Sequence, residues 1–515
     1  MKSSNRGKNV LLKWSVLLVL LTVTAFASAQ ANKKSTPAPK APSKPAAAPH
    51  AAPAQHAGGT TSHTATSGHT TTTPGHGTTT AGHGTTTAGH GTTTAGHGTT
   101  TAGHGTTTAG HGTTTAGHTP AGSRNVSLKG GGSASIRSNG QIRSVDRNGM
   151  HIEHGVHGGR TVVGEHNGAH VVNTGRHGGY VQRAYVTRGG HSYYSRTYYD
   201  HGHYRTGVYR GYYWHGHPYY GYYPGYWYHP GFYAWGYQPW GAPVYWGVGA
   251  WGWGGAPWFG FYGGWFTPYP YYASPAFWLT DYLIAANLQA AYAARQEANA
   301  EAAAGDGGGG EPAPAAASNA PALTPEVKQA IADEVKAQLA AQQAQAAQSG
   351  GSAAPAPANA SGEVPPALDP ARRTFVVDSD LTVVANGQEC GLTGGDVITR
   401  LTDTPDADNM VNASVSASKK SDCAAGQTVA VKVDDLQEMQ NHFAEQLNSG
   451  LGELAKKQGT GGIPKAPDTS TTASDVPPPA PDTTAAKTLE DQQQAADQTE
   501  SQVKQEAAGS AGGAL

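Results

Sequence analysis

Between Ser127 and Tyr213, runs rich in β-branched residues, such as Arg160 to Glu165 and His170 to Thr174, alternate with turn signals. The signals are Asn139-Gly140, Asn148-Gly149, Gly158-Gly159, Asn167-Gly168, Gly178-Gly179 and Gly189-Gly190, 9 to 11 residues apart. Asn-Gly and Gly-Gly supply the positive φ angles that two-residue hairpin turns require. The pattern predicts a β-meander over residues 124–213. From Gly211 to Thr280 the chain then carries no charge, and ten of its 11 tryptophans lie between Trp214 and Trp278. Gly and Pro are too dense there for a membrane helix, as in Tyr222-Tyr223-Pro224-Gly225. Residues 214–303 are therefore expected to form an aromatic Gly/Tyr/Trp-rich module, either compactly wrapped or adhesive. Within it Ser274-Pro275 opens a helix over 275–302, whose first half (Phe277, Trp278, Leu279, Tyr282, Leu283, Ile284, Leu288) is apolar on all sides and needs covering.

Residues 304–371 read as a linker holding one helix, 325–347, with Val327, Ile331, Val335 and Leu339 four apart. Such a narrow stripe serves a weak contact or self-association rather than an independent fold. Strand-like runs at 374–377, 381–384, 397–401, 410–415 and 428–433 come next, separated by Gly, Asn and Asp turns. Five short strands closing at Asp434-Asp435-Leu436 resemble an SH3-like β-barrel. The string Gly391-Leu392-Thr393-Gly394-Gly395-Asp396-Val397-Ile398 is similar to a segment of PDZ domains, but the second helix of that fold is missing before Thr428 and its peptide groove is not carried over. A helix over 436–457, with Met439, Phe443, Leu447, Leu451 and Leu454 at helical spacing, completes a unit over 372–457.

The ends look different. Lys2, Arg6, Lys8 and Lys13 precede an apolar run and Ala27-Ser28-Ala29, the form of a secretory signal peptide (1–29) cleaved after Ala29. Residues 30–123 pass from a Pro/Ala tract into AGHGTTT repeated five times. With two glycines in each seven residues and no apolar a/d pair, that tract is expected to be a disordered spacer. The Pro/Thr/Ala/Gln-rich tail, 458–515, is expected to be disordered too, with at most a transient helix near 488–506. The fold class is thus mostly disordered, low-complexity chain with β-rich islands: meander, aromatic module with helix, then small barrel with C-terminal helix. The layout resembles that of uncharacterised exported bacterial proteins with a Gly/Tyr-rich module, which implies a secreted, periplasmic or cell-envelope location.

A net charge of −1 hides a division. Residues 1–210 hold 20 Lys or Arg against 4 Asp or Glu, and residues 281–515 hold 14 against 31. The basic half is expected to meet an anionic partner such as a polysaccharide, an envelope or wall polymer, a lipid headgroup, or the acidic half of the chain itself. Nucleic acid is not an expected partner, since no nucleic-acid-binding motif is present. No transmembrane segment is expected in the mature chain.

Histidine is the strongest chemical signal: 24 in all, 11 between His50 and His118 and 12 between His151 and His229. The candidates for holding Zn, Ni or Cu are His151, His154 and His157, and the pairs His201/His203 and His215/His217, which on a strand would share one face. Cys390 and Cys423, the only cysteines, are expected to form a structural disulfide. No nucleophile elbow, zinc-protease motif, phosphate loop or dinucleotide fingerprint is present, so no cofactor and no catalytic activity are expected. The sequence is read as an exported structural or interaction protein that associates with envelope polymers, surfaces or itself; the alternative is a histidine-rich metal-sequestering protein.

Overall fold

The computed structural model describes residues 120–174, 178–200, 202–304, 321–349, 363–420 and 422–511. The expected signal peptide with its expected cleavage point at Ala29, and the expected spacer as far as residue 119, lie outside the described residues. The described chain is built around a ten-stranded antiparallel sheet in strict chain order: β1 (Arg124–Ser127), β2 (Ser133–Ile136), β3 (Ile142–Arg147), β4 (Met150–His154), β5 (Arg160–His166), β6 (Ala169–Asn173), β7 (Gly179–Arg188), β8 (His191–Asp200), β9 (His203–Trp214) and β10 (His217–Tyr223). The turn glycines are where the sequence placed them: Asn148-Gly149 and Asn167-Gly168 are left-handed at both positions, as a tight hairpin turn demands. The meander runs one hairpin further than expected, to Tyr223. There His215 and Gly216, with φ of 47° and 88°, take the part of Asn-Gly.

Strand alternation gives the sheet two usable faces. On one, Ala134, Val145, Ile152 and Val162 stand directly opposite one another across four strands, and Gly164, Val171, Val181 and Thr197 continue the row two residues over. On the other, Arg196 is fully buried. Its guanidinium forks onto Glu438 at 2.6 and 2.8 Å and lies 4.3 and 3.9 Å from the ring centres of Tyr180 and Tyr209. Burial, the largest single influence, opposes the charge of Arg196, but Glu438 together with the Tyr180, Tyr198 and Tyr209 phenols outweighs it and holds the guanidinium pKa well above its ordinary value.

The aromatic module is compact. It comprises β11 (Tyr226–Tyr228), α1 (Pro230–Tyr237), β12 (Val244–Tyr245), α2 (Val248–Trp251), α3 (Pro257–Tyr262), β13 (Tyr271–Tyr272) and α4 (Pro275–Ala304). Trp278, Leu279, Leu283, Ile284 and Leu288 of α4 share one core with Trp227, Phe232, Trp246, Trp253, Trp265, Phe266 and Tyr272. Trp278 stacks on Trp251 at 4.5 Å. Helix α5 (Pro325–Ser349) starts where Thr324 accepts a hydrogen bond from Val327 N. Its stripe, Ile331, Val335 and Leu339, is buried in the same core, so the stripe has its partner within the chain. Asp281 of α4 and Lys328 of α5 pair at 2.8 Å in near-complete burial.

The C-terminal sheet corrects the barrel expectation. Strands β14 (Thr374–Val376), β15 (Leu381–Ala385), β16 (Gln388–Leu392), β17 (Val397–Arg400), β18 (Met410–Ala417) and β19 (Thr428–Lys432) lie in the order β14-β17-β18-β19-β15-β16 and do not close. β15 reaches β19 through only Val384 and Ala385, and turns its length to β16 instead. Helix α6 (Val433–Lys457) comes next and plugs the open face, with Val433, Leu436 and Met439 in the same core as Phe375, Ile398, Val411 and Val431.

The tail differs from the expectation as well. β20 (Thr471–Ala473) pairs with β11, and α7 (Ala485–Ala511) lies on the apolar row of the large sheet through Ala485, Leu489, Ala496 and Val503. A stripe of two large apolar residues and two alanines is too sparse to announce a packed helix, yet the sheet it covers supplies the missing apolar area. The two oppositely charged halves meet directly: Arg137 and Arg143 hold Glu389, Arg147 holds Glu506, Arg160 holds Asp497 and Glu500, Arg183 holds Asp482, and Arg205 holds Glu445. No helix among the described residues is long and apolar enough to cross a membrane.

Candidate functional site

Helix α6 has two unlike stripes. Leu436, Met439, Phe443, Leu447, Leu451 and Leu454 are buried, a spacing of three and four that faces one side of a helix. Asp434 and Asp435 in its first turn and Lys456 and Lys457 in its last complement the helix dipole. The opposite stripe, Glu445, Asn448, Ser449, Gly452, Glu453 and Lys456, lines a surface groove.

The other wall is tyrosine. Tyr226, Tyr228 and Tyr282, with Thr469 and Thr471, line an open groove of about 580 Å3 against Asn448, Ser449, Gly452, Glu453, Ala455 and Lys456. A smaller hollow of about 190 Å3 continues past Asn448 and Ser449 to Arg205, Tyr222, Tyr223 and Pro478. From Glu445 to Lys456 the helix supplies a floor about 16 Å long.

Each wall residue is placed by its element. On β11, Trp227 points to one side of the strand and Tyr226 and Tyr228 to the other, their rings 5.4 Å apart edge to face; Tyr228 is itself buried in the aromatic core, 4.7 Å from Phe232, with Tyr226 partly buried beside it. Tyr282 rests on Trp278, stacked at 5.8 Å. It can come this close to α6 because residue 450 is glycine: a Cβ there would stand 2.8 Å from Tyr282 Cδ1. Burial pushes the Tyr228 and Tyr282 phenols up in pKa, so both stay neutral and offer an apolar ring face with a hydroxyl at its edge.

Charges in the groove cancel. Glu453 and Lys456 pair at 2.8 Å. In the smaller hollow Glu445 accepts from Arg205 and from the Tyr209 hydroxyl, and Arg205 lies over the Tyr198 ring at 4.1 Å. The surface is thus open, aromatic and hydrogen-bonding, with little net charge.

The disulfide is present: Cys390 on β16 joins Cys423, with Cα atoms 5.2 Å apart, and Asp422 beside it accepts from Gly391 N at 2.6 Å. The candidate metal histidines are dispersed. His151 Nδ1 lies 2.6 Å from Asp146, His154 Nε2 3.1 Å from Glu500 and His157 Nε2 3.1 Å from Asp422. His151 and His154, three apart on β4, face opposite sides of the sheet. His215 sits in the β9–β10 turn with its ring on Trp214, while His217 opens β10, so the two do not share a strand. His203 is exposed at the start of β9, and His201 lies outside the described residues. No group of three or more His, Cys, Asp or Glu among the described residues is arranged to hold a metal ion.

The sequence reading missed the groove. A signal was present: in α6 the positions opposite the leucines are small or polar, Asn448, Ser449 and Gly452, which marks a face that leaves room. What could not be read was that β11 and α4 bring tyrosines over it. No protein-family model matches the chain, and no curated protein or solved structure matches it.

Proposed function

We propose that this is an exported, non-catalytic interaction protein of the cell envelope or extracellular space that holds a neutral polysaccharide in the tyrosine groove along α6. The observation that carries the reading is the pairing of three tyrosine rings with a polar, nearly charge-balanced helix face. Pyranose rings present C–H faces that pack on aromatic rings and hydroxyls that exchange hydrogen bonds with Asn448, Ser449, Glu453, Lys456, Thr469 and Thr471. A shallow open groove suits a chain that enters from the side and continues beyond the site, whereas small molecules favour enclosed pockets.

Two further features support the reading. The basic residues that would have attracted an anionic polymer are largely paired with the chain's own carboxylates, so little of their positive charge is left uncompensated. The disulfide accords with an oxidising compartment. The test is retention of the full-length protein on insoluble polysaccharides and on isolated envelope, with elution by soluble neutral oligosaccharide. Retention on envelope that salt reverses and sugar does not would replace this reading with an electrostatic one.

A further inference from the structure

The row Val145, Ile152, Val162, Val171 and Val181 on the large sheet is flanked by basic side chains: Arg147 on β3, His154 on β4, Arg160 on β5, and Arg183 and Arg188 on β7. All are covered by one segment. Residues 475–506 carry seven acidic and two basic side chains. Asp475 meets Arg188 at 3.4 Å, Asp482 meets Arg183 at 2.9 Å, Asp497 meets Arg160 at 2.5 Å, Glu500 meets Arg160 at 3.0 Å and His154 at 3.1 Å, and Glu506 meets Arg147 at 2.8 Å. A run of carboxylates thus lies along a ladder of basic side chains.

The covering segment has fewer large apolar contacts than α6, and two buried hydrogen bonds at 3.0 Å, from Asn173 Nδ2 to Leu489 O and from Gln492 Nε2 to Val171 O, join it to the sheet. Its large apolar contacts are Leu489 of α7, Val503 of α7 and Val476 before it. Its ion pairs are partly exposed, which leaves them weak and open to salt. Its fit is also incomplete: Arg160 Nη2 is buried with no hydrogen-bond partner among the described residues.

We propose that residues 475–506 form a self-masking strap over a binding face for a linear polycarboxylate, a uronate-type polysaccharide, and that the polymer displaces the strap when it binds. Arg147, Arg160 and Arg183 would take its carboxylates, and the apolar row would take the C–H faces of its rings. This site lies apart from the tyrosine groove and does not depend on it. Because the strap competes for the same arginines, the apparent affinity of the intact protein is reduced by the fraction of time the face is open.

The experiment compares the full-length protein with its D497N/E500Q/E506Q variant, which removes strap charge and keeps the helix. Polygalacturonate oligomers are titrated by calorimetry, with single-stranded oligo-dT of equal charge alongside. The variant is expected to bind polygalacturonate at least about tenfold tighter than the wild type, and adding Arg160→Gln to it is expected to abolish the gain. No gain in the variant overturns the proposal. An equal gain for oligo-dT overturns the choice of a polycarboxylate in favour of general polyanion binding. Hydrogen exchange on the wild type covers the case in which the variant misfolds: saturating polygalacturonate should speed exchange across residues 485–506 and leave α6 unchanged, and unaltered or slower exchange in the strap contradicts displacement.

Discussion

Replacing Trp278 by alanine tests whether the aromatic module is one cooperative core and whether that core supports the groove. Trp278 is 0% exposed; it stacks on Trp251 at 4.5 Å and on Tyr282 at 5.8 Å, and meets Trp246 edge-on at 6.4 Å. Truncating a buried tryptophan costs about 3–5 kcal/mol, because the lost transfer energy adds to a cavity that its neighbours cannot close. Whole-domain stability is about 5–15 kcal/mol, so a large share of it is removed. Calorimetry should show one transition lowered by roughly 5–10 °C, with near-ultraviolet dichroism reduced in proportion. Since Leu447, Leu451 and Leu454 of α6 belong to the same core, the transition should stay single. Trp278→Phe, which refills much of the space, should recover more than half of the loss. A cost below about 1 kcal/mol, within the range of surface substitutions, would refute the compact-core account and restore the adhesive one.

Three further outcomes rest on particular contacts. The Cys390→Ser/Cys423→Ser double variant, which opens a loop of sequence separation 33, should lose about 3–4 kcal/mol in urea titration by the chain-entropy estimate; a loss below about 1 kcal/mol would contradict a stabilising bond. Burial pushes the Asp435 carboxyl up to about 7 from an ordinary 3.8, so between those values the folded protein holds a proton that the unfolded chain releases, and stability from this group falls as pH rises from about 4 to 7. Because Asp435 is only half-buried, solvent screens part of the effect, and Asp435→Asn should stabilise the protein by about 1–2 kcal/mol at about pH 8 and by nearly nothing at about pH 4; equal effects at both would contradict it. Gly450→Ala should push Tyr282 off α6 and weaken polysaccharide binding more than it lowers the melting temperature; unchanged binding would show that Tyr282 is no part of the groove.

Local rules carried the sequence reading as far as local rules reach. Asn148-Gly149 and Asn167-Gly168 mark their turns because few other dipeptides adopt two left-handed residues cheaply, and Pro275 and Pro325 open α4 and α5 because a missing N–H costs nothing there. The β9–β10 hairpin was lost in the aromatic run because its turn is His215-Gly216, which carries no strong turn signature. The barrel was expected because five strands were counted; the insertion of β15 between β19 and β16 is a non-local choice that no strand announces. Helix α7 was hidden for a related reason: Leu489 and Val503 alone look too weak to pack, and the sheet row they rest on lies about 300 residues away in the chain. The groove is the same case, since Glu445 to Lys456 acquire meaning only once Tyr226, Tyr228 and Tyr282 stand over them.

The central claim is that these three tyrosines, rather than aromatic surface in general, hold a neutral polysaccharide. Affinity electrophoresis in gels containing the polysaccharide that best retains the wild type measures this directly. Tyr226→Ala and Tyr282→Ala should each weaken retardation at least about tenfold, as expected for aromatic anchors at the centre of a site, while Tyr245→Ala and Tyr271→Ala, at an exposed tyrosine pair elsewhere in the module, should leave it unchanged. Equal losses from both pairs, or retardation that survives the groove variants, would contradict the account.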